Sequence, residues 1–466
     1  MEYDVVIVGG GPAGLSSAIR LKQLCEANDQ DLSVCLIEKG HEIGAHILSG
    51  NVFEPRALNE LLPNWKELEA PLTTPAKEDA MYILTESGGF KAPTIPLLHN
   101  EGNYIISLGQ LCRWLGEQAE GLGVDIFPAT PASEVLYENG AVVGIATADM
   151  GIGKDEKPKD TFVRGMELRA KHTIFAEGCR GNLSEEVMEH FNLREGKDAQ
   201  TYGLGIKEVW EVDNEHFKPG YIQHTVGWPT SHDVYAGSFL YHMEPNLVLV
   251  GYVVGLDYEN PYINPYQEFQ KFKHHPKIAK YFENGKCIQY GARCLNEGKA
   301  LTDCGGRLLT DPLFLWAVFD AFKESEDPTG QEVVDYQKRM EKSWVWEELK
   351  AVRNFHGGFK YGLFPGIMYG GFTTMISRGK EPWTFHNTVP DSAKTKPASQ
   401  FKKIEYPKPD GVLSFDLLEN LARSGTYHEA DQPPHLRIKV SYAKYAAPES
   451  RFCPARVYEY PEGDKL

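Results

Sequence analysis

No two of the eight cysteines, at 25, 35, 112, 179, 287, 294, 304 and 453, stand in a C-x-x-C pair. Sulfur-ligated metal and cluster sites are commonly built on that spacing, so no such site of ordinary pattern is expected. Thiols this scattered over 466 residues also exclude a disulfide-stapled secreted scaffold, and most should be reduced core thiols in a cytosol-like compartment. No uncharged apolar run reaches the roughly 18 residues of a membrane span. Positive charge is in short supply: 48 Lys and Arg against 65 Asp and Glu leave a net charge of −17. That balance argues against nucleic-acid binding and against a polybasic attachment to anionic lipid. Repeats and low-complexity tracts are missing too. Met1 to Asp4 run directly into an apolar stretch, so no signal or transit peptide is expected.

What is present begins at once. Asp4-Val5-Val6-Ile7-Val8 is a β-branched run of the kind buried on both faces of a sheet. It leads into Val8-Gly9-Gly10-Gly11-Pro12-Ala13-Gly14, after which Leu15, Ala18, Ile19 and Leu21 carry helical spacing toward Cys25. Gly9, Gly11 and Gly14 thus fall at a strand-to-helix turn, where they give a tight turn, room for a diphosphate against backbone, and close helix-to-strand packing. The helix N-terminus faces the anion. A second apolar run, Ser33 to Ile37, ends in Glu38, placed to bond ribose hydroxyls and to repel a 2′-phosphate. An adenine dinucleotide site follows, and its place at the start of the chain favours FAD over a nicotinamide.

The loop from Lys39 to Asn51, containing Ser49 and Gly50, is rich in small residues and is expected to run past the flavin; an exposed loop is the alternative. Residues 60–103 read as an inserted segment. Leu108, Leu111, Leu115 and Ala119 predict a helix to Leu122, with a strand at Val124–Phe127. Ser133–Tyr137 and Ala141–Ala146 flank Glu138-Asn139-Gly140, a hairpin turn with residues tolerant of positive φ. The strand Lys171–Ala176 runs into Glu177-Gly178, where the chain should return past the dinucleotide. From Thr201 to Gln289 the sequence is β-rich and aromatic, the texture of a sheet that covers a flavin and holds substrate.

Several strings in and after this region are similar to the electron transfer flavoprotein-ubiquinone oxidoreductase family: Thr201–Glu208, His224–Pro229, Gly237–His242, Val254–Tyr258, Lys273–Pro276, Gly291–Gly298, Ser343–Trp346 and Tyr406–Gly411. The resemblance covers nearly the whole chain. It implies an α/β (overall α+β) protein: a doubly wound, FAD-binding Rossmann-like domain (1–75, 104–200 and 285–345), an inserted β-rich quinone domain (76–103 and 201–284), and a membrane-contact segment with the C-terminal remnant of an iron-sulfur domain (346–466). It implies FAD held by Gly9, Gly11, Gly14, Glu38, Ser49, Gly50 and Gly178, and quinone held by backbone at Ala236 and Gly237, where the family usually has two glycines. The implied activity is oxidoreductase: electrons pass from reduced electron transfer flavoprotein through a [4Fe-4S] cluster and FAD to ubiquinone in the respiratory chain. Residues 361–376 carry no charge, are broken by Gly and Pro, and precede Arg378 and Lys380, a profile that suits a patch dipping into a bilayer interface. A buried core segment is the alternative. The implied location is peripheral: the matrix side of the mitochondrial inner membrane or the cytoplasmic side of a bacterial plasma membrane.

Two departures from the family stand out. After Gly298 the chain runs Lys299 to Arg307 and then through the apolar stretch Pro312–Phe322, which does not match the passage that closes the family's FAD site. Near the C-terminus, Cys453 matches the first cluster ligand, but no C-x-x-C-x-x-C follows before Leu466. Four thiolates hold a cubane, so this chain is not expected to hold the cluster. No nucleophile or general-base triad is expected, and His224, His242 and His274 read as structural. Two other readings stay open: an NAD(P)H-dependent flavin reductase or monooxygenase-like enzyme, and an inactive fragment that binds no flavin.

Overall fold

The strand Glu2–Val8 alternates its contacts: Val5 and Ile7 face one apolar cluster, Val6 and Val8 another, and all four are buried. This is why it sits in the middle of a sheet covered on both sides. In the computed structural model, which describes all residues except 48–49, 298–311, 326, 332, 334, 427–430, 434–441 and 461–466, the sheet has six strands. Their spatial order is Asp125–Phe127, Val34–Ile37, Glu2–Val8, Glu167–Phe175, Ala141–Thr147 and Ala132–Glu138. The first four are parallel, and the last two form the expected hairpin, turned by Asn139 and Gly140, both at positive φ. Helices Pro12–Ala27, Leu108–Gly121 and Pro312–Glu324 cover one face, with Leu15, Leu111 and Phe319 in a common core. Leu183, from helix Asn182–His190, packs on the other face.

A second sheet has seven strands, in the order Lys286–Glu297, Thr201–Glu211, Leu247–Gly255, Ala236–Met243, Tyr221–Gly227, Glu78–Leu84 and Gly89–Ala92. Every neighbouring pair is antiparallel except Tyr221–Gly227 with Glu78–Leu84, which are parallel. Residues 286–297 were expected with the dinucleotide-binding part. They instead pair along the full length of Thr201–Glu211, from Thr201 opposite Glu297 to Glu211 opposite Lys286, because that strand has a free edge and Cys287 and Tyr290 pack into the second sheet's core. One face of this sheet is closed by helix Pro265–Lys273, whose Tyr266, Phe269 and Phe272 join Trp210 and Tyr252 in the core. The opposite face, bearing Gly205, Lys207, Phe239 and Tyr241, looks toward the first sheet. A small three-stranded sheet of Asn51–Phe53, Tyr104–Ile106 and Thr74–Pro75 joins the two.

The altered passage after Gly298 lies partly at 298–311, outside the described residues. Its apolar continuation is the helix Pro312–Glu324, with Val318, Phe319 and Phe322 buried against the helix that follows the opening strand.

Candidate functional site

A cavity of about 870 Å³ lies between the two sheets, at the carboxyl end of the opening strand. Each fingerprint glycine is there for a separate reason. Gly9 has φ +110°, and a Cβ on it would lie 2.5 Å from the Ala176 carbonyl oxygen. A Cβ on Gly14 would lie 2.0 Å from the Gly9 carbonyl oxygen, so only hydrogen lets the helix close on the strand. A Cβ on Gly11 meets nothing within 4 Å; it would project into the cavity itself. Gly11 is also the N-cap of helix Pro12–Ala27 and has no side chain to cap it, which leaves the helix N–H groups for an anion.

Glu38 accepts hydrogen bonds from the Gly10 amide (2.9 Å) and the Gly40 amide (2.6 Å), which fix its carboxylate on the cavity wall. Gly50, at φ +90°, and Gly178, at φ +83°, both line the cavity. Ser49 lies outside the described residues. Of the loop before it, Gly44, His46 and Ile47 line the same cavity, and His46 accepts a hydrogen bond from Arg293 through its carbonyl. Glu177 bonds the Ser184 amide at 2.7 Å and so caps helix Asn182–His190. An adenine dinucleotide fits this cradle: there is unfilled room at Gly11, an uncapped helix N-terminus beside it, and a carboxylate at the end of the second strand.

The second sheet supplies residues that the fingerprint does not reveal. Lys207 is buried, donates to the Gly50 carbonyl, and holds its ammonium 5.0 Å from the centre of the Phe239 ring. Burial takes its pKa down to about 7. The signal was a lone lysine in the apolar strand Thr201–Glu211. Phe239 in turn lies on Gly251, where a Cβ would come within 2.1 Å of the ring.

Ala236 and Gly237 open the strand that carries Phe239 and Tyr241, and neither lines the dinucleotide cavity. Side chains alternate along a strand, so residues 235, 237, 239 and 241 share a face. Tyr235 lines a second cavity, of about 1090 Å³, while Phe239 and Tyr241 line the first. Gly237, between them in sequence, lines neither cavity, and a Cβ on it would lie 3.0 Å from the Thr225 carbonyl oxygen. In the second cavity the Tyr235 ring meets those of His356 (4.7 Å) and Phe359 (4.8 Å) edge-on.

Tyr361 and Gly362, also on the second cavity, begin the uncharged stretch. It folds as helix Leu363–Gly371 and a π-turn, Phe372–Ser377. Five of its large apolar side chains face outward, Leu363 being buried: Met368 is 78% exposed, Ile376 73%, Tyr361 71%, and Phe364 and Met375 more than half. Leu97 and Trp383 are exposed apolar residues as well. The Trp383 indole donates to the Tyr369 hydroxyl at 2.8 Å, and Arg353 holds the Gly379 and Glu381 carbonyls, which anchors the end of the stretch.

None of His224, His242, His274 and Cys453 lines the dinucleotide cavity. His242 is buried, accepts from the Lys218 amide at 2.9 Å, and is pushed down to about 3 by burial. His274 bonds Ser414, and His224 contacts Tyr241. Cys453 is buried, and among the described residues no group of three or more His, Cys, Asp and Glu side chains could hold a metal ion. The thiols described do not fit a cubane cluster, which takes four thiolates.

Comparison with known proteins gives a consistent pattern. The family described as ETF-QO, ubiquinone-binding matches residues 202–295, and that described as electron transfer flavoprotein-ubiquinone oxidoreductase, 4Fe-4S, matches 411–466. An NAD(P)-binding Rossmann-like domain matches 7–65 and an FAD binding domain 54–202. The mitochondrial electron transfer flavoprotein-ubiquinone oxidoreductase of Dictyostelium discoideum is 50% identical over 508 residues, covering 100% of this chain and 84% of that protein. The Mus musculus protein of the same name is 50% identical, covering 98% and 81%, and that of Oryza sativa subsp. japonica 47%, covering 100% and 86%. An alignment of 508 residues against a chain of 466 means that the Dictyostelium protein carries internal residues this one lacks. Among solved structures, a geranylgeranyl bacteriochlorophyll reductase-like protein from Thermoplasma acidophilum shares the fold at TM-score 0.52 and 18% identity, covering 81% of this chain and 98% of that one. A flavin-dependent brominase does so at 0.53 and 14%, covering 81% and 91%.

Proposed function

The chain belongs to the electron transfer flavoprotein-ubiquinone oxidoreductase family, and from that premise we propose which residues carry its electron transfer from reduced electron transfer flavoprotein, through FAD, to ubiquinone. FAD supplies the redox chemistry when bound, taking up electrons singly and releasing them in pairs. The protein's part is to bind and orient. Gly11 gives the diphosphate room at the helix N-terminus, Glu38 takes the ribose hydroxyls, and Gly50 and Gly178 let backbone approach from either side. Ser49, beside Gly50, belongs to the same loop. Lys207 brings a proton or a charge to the cleft from the second sheet.

Backbone at Ala236 and Gly237 receives the quinone ring, with the extra methyl of Ala236 taking the place of a hydrogen. The observation that supports this assignment is the alternation along one strand: Tyr235 opens on the second cavity, Phe239 and Tyr241 on the first, and Gly237 lies between them in sequence. The apolar stretch 361–376 begins on the second cavity at Tyr361 and Gly362 and turns Phe364, Met368, Met375 and Ile376 outward. It forms an interfacial patch through which a lipid-soluble quinone enters. Among the described residues no helix is long and apolar enough to cross a membrane, which favours peripheral contact. The relatives are named mitochondrial, and the proposed place is the matrix side of the mitochondrial inner membrane; the cytoplasmic face of a bacterial plasma membrane offers the same chemistry. On this reading residues 76–103 and 201–297 form the quinone-binding part, and the rest of 1–345 binds FAD.

The test is quinone reduction by the purified, flavin-loaded protein, with reduced electron transfer flavoprotein or with NADH as donor. Reduction should require the flavoprotein donor. Reduction by NADH alone would favour a flavin reductase instead.

A further inference from the structure

Two of the eight cysteines meet on the wall of the dinucleotide cavity although 115 positions apart in sequence. Cys179 lies in the turn between strand Glu167–Phe175 and helix Asn182–His190; Cys294 lies on strand Lys286–Glu297. Their approach follows from the pairing. Cys294 and Asn296 are two apart on one strand, opposite Leu204 and Tyr202, and so share a face. The Cys179 thiol donates to Asn296 Oδ1 at 2.8 Å, which brings its sulfur to the part of the cavity wall that Cys294 also lines. Both residues are partly accessible, and neither is in a disulfide.

We propose that Cys179 and Cys294 form a dithiol site that small-molecule disulfides oxidise to a disulfide, fastening the turn after the fourth parallel strand of the first sheet to the edge strand of the second. Cys294 is the attacking sulfur. The neighbouring Cys179 side chain and the Arg180 guanidinium hold its pKa at about 7, whereas Cys179 is pushed up. The Cys294 thiolate attacks one sulfur of the external disulfide, whose S–S bond breaks and releases one thiolate. That thiolate takes up the Cys179 proton. Cys179 then attacks the Cys294 sulfur of the mixed disulfide and displaces the second thiol. Two protein thiols lose two electrons, the external disulfide gains them, and two small thiols leave. The bond crosses the cavity wall between the two sheets, so it fixes the spacing that a bound dinucleotide sees. Nothing in the quinone chemistry calls for either sulfur.

The experiment treats the full-length, flavin-loaded protein with oxidised glutathione, quenches it with an alkylating reagent under denaturing conditions, and maps the digest by mass spectrometry. The expected result is a peptide pair joined through Cys179 and Cys294, loss of those two thiols from the alkylated pool, retention of Cys25, Cys35 and Cys112 in it, and recovery of both on adding dithiothreitol. Cys179→Ser should trap glutathione on Cys294. If the native protein keeps both thiols alkylatable, or holds glutathione on Cys294 without passing it to Cys179, the proposal fails. The mapping of the unsubstituted protein decides this even if the variant does not fold.

Discussion

Lys207 donates to the carbonyl oxygen of Gly50 and thereby ties the second sheet to the loop that closes the dinucleotide cleft. Its burial brings the pKa from 10.5 to about 7. Between these values the unfolded chain holds a proton that the folded one has released, so stability rises with pH across the window. The span corresponds to on the order of 4 kcal/mol for a group this buried. Urea unfolding of flavin-free protein should therefore show the native chain gaining on Lys207→Met as pH goes from 6.5 to 10, by a few kcal/mol. A constant difference would mean that water reaches the ammonium.

Gly11 and Gly14 separate folding from binding. The methyl of Gly14→Ala would be driven into the Gly9 carbonyl at 2.0 Å, so this variant should lose several degrees in Tm together with its flavin. The methyl of Gly11→Ala touches no protein atom. Its apoprotein should melt with the native apoprotein, while flavin content falls at least tenfold because the methyl occupies the diphosphate's place. Absorbance of bound flavin and apoprotein Tm, measured on both variants, check the contrast.

That contrast marks how far the sequence can be read. The opening strand, turn and helix are legible because their signals are local: a β-branched run, three glycines and a 3.6-residue period within about 20 positions. Long-range pairing is not. Nothing in Glu78–Leu84 announces that it lies parallel to Tyr221–Gly227, and nothing in Lys286–Glu297 says which sheet's edge it will complete. Lys207 and Cys294 reach the cleft only once the second sheet is assembled, so the approach of Cys294 to Cys179 is invisible until then. The exposed face of 361–376 was half legible. Lack of charge fits an exposed and a buried segment equally, and the fold turns Met368 and Ile376 outward.

Behind the second sheet, Glu208 and Lys273 are fully buried and paired at 2.8 Å, and Glu208 also accepts from Trp210, Gln270 and Asn420. Such a satisfied pair contributes little over an apolar one, but losing one member strands a charge at a cost of about 3–5 kcal/mol. Lys273→Met should therefore destabilise the protein by about that amount, and Glu208→Gln in the same chain should restore part of it. The double-variant cycle in urea measures the recovery. Because Asn420 joins the C-terminal segment to this cluster, the single variant should also expose that segment to protease.

The outward side chains of 361–376 set apart membrane contact and stability. Met368 and Ile376 are 78% and 73% exposed, so replacing both with Glu removes few native contacts and should leave Tm within about a degree. Burying each apolar side chain in the interfacial layer is worth roughly 1.5 kcal/mol or more, so the pair accounts for about 3 kcal/mol, equivalent to two orders of magnitude in partitioning. Sedimentation with neutral phosphatidylcholine vesicles should show that loss for Met368→Glu/Ile376→Glu. Reduction of a short-tailed, water-soluble quinone should persist, because the ring site proposed at Gly237 is untouched, while reduction of long-tailed quinone in vesicles falls with the partitioning. Equal loss with both quinones would place the defect at the ring site, and unchanged sedimentation would mean that another surface holds the bilayer.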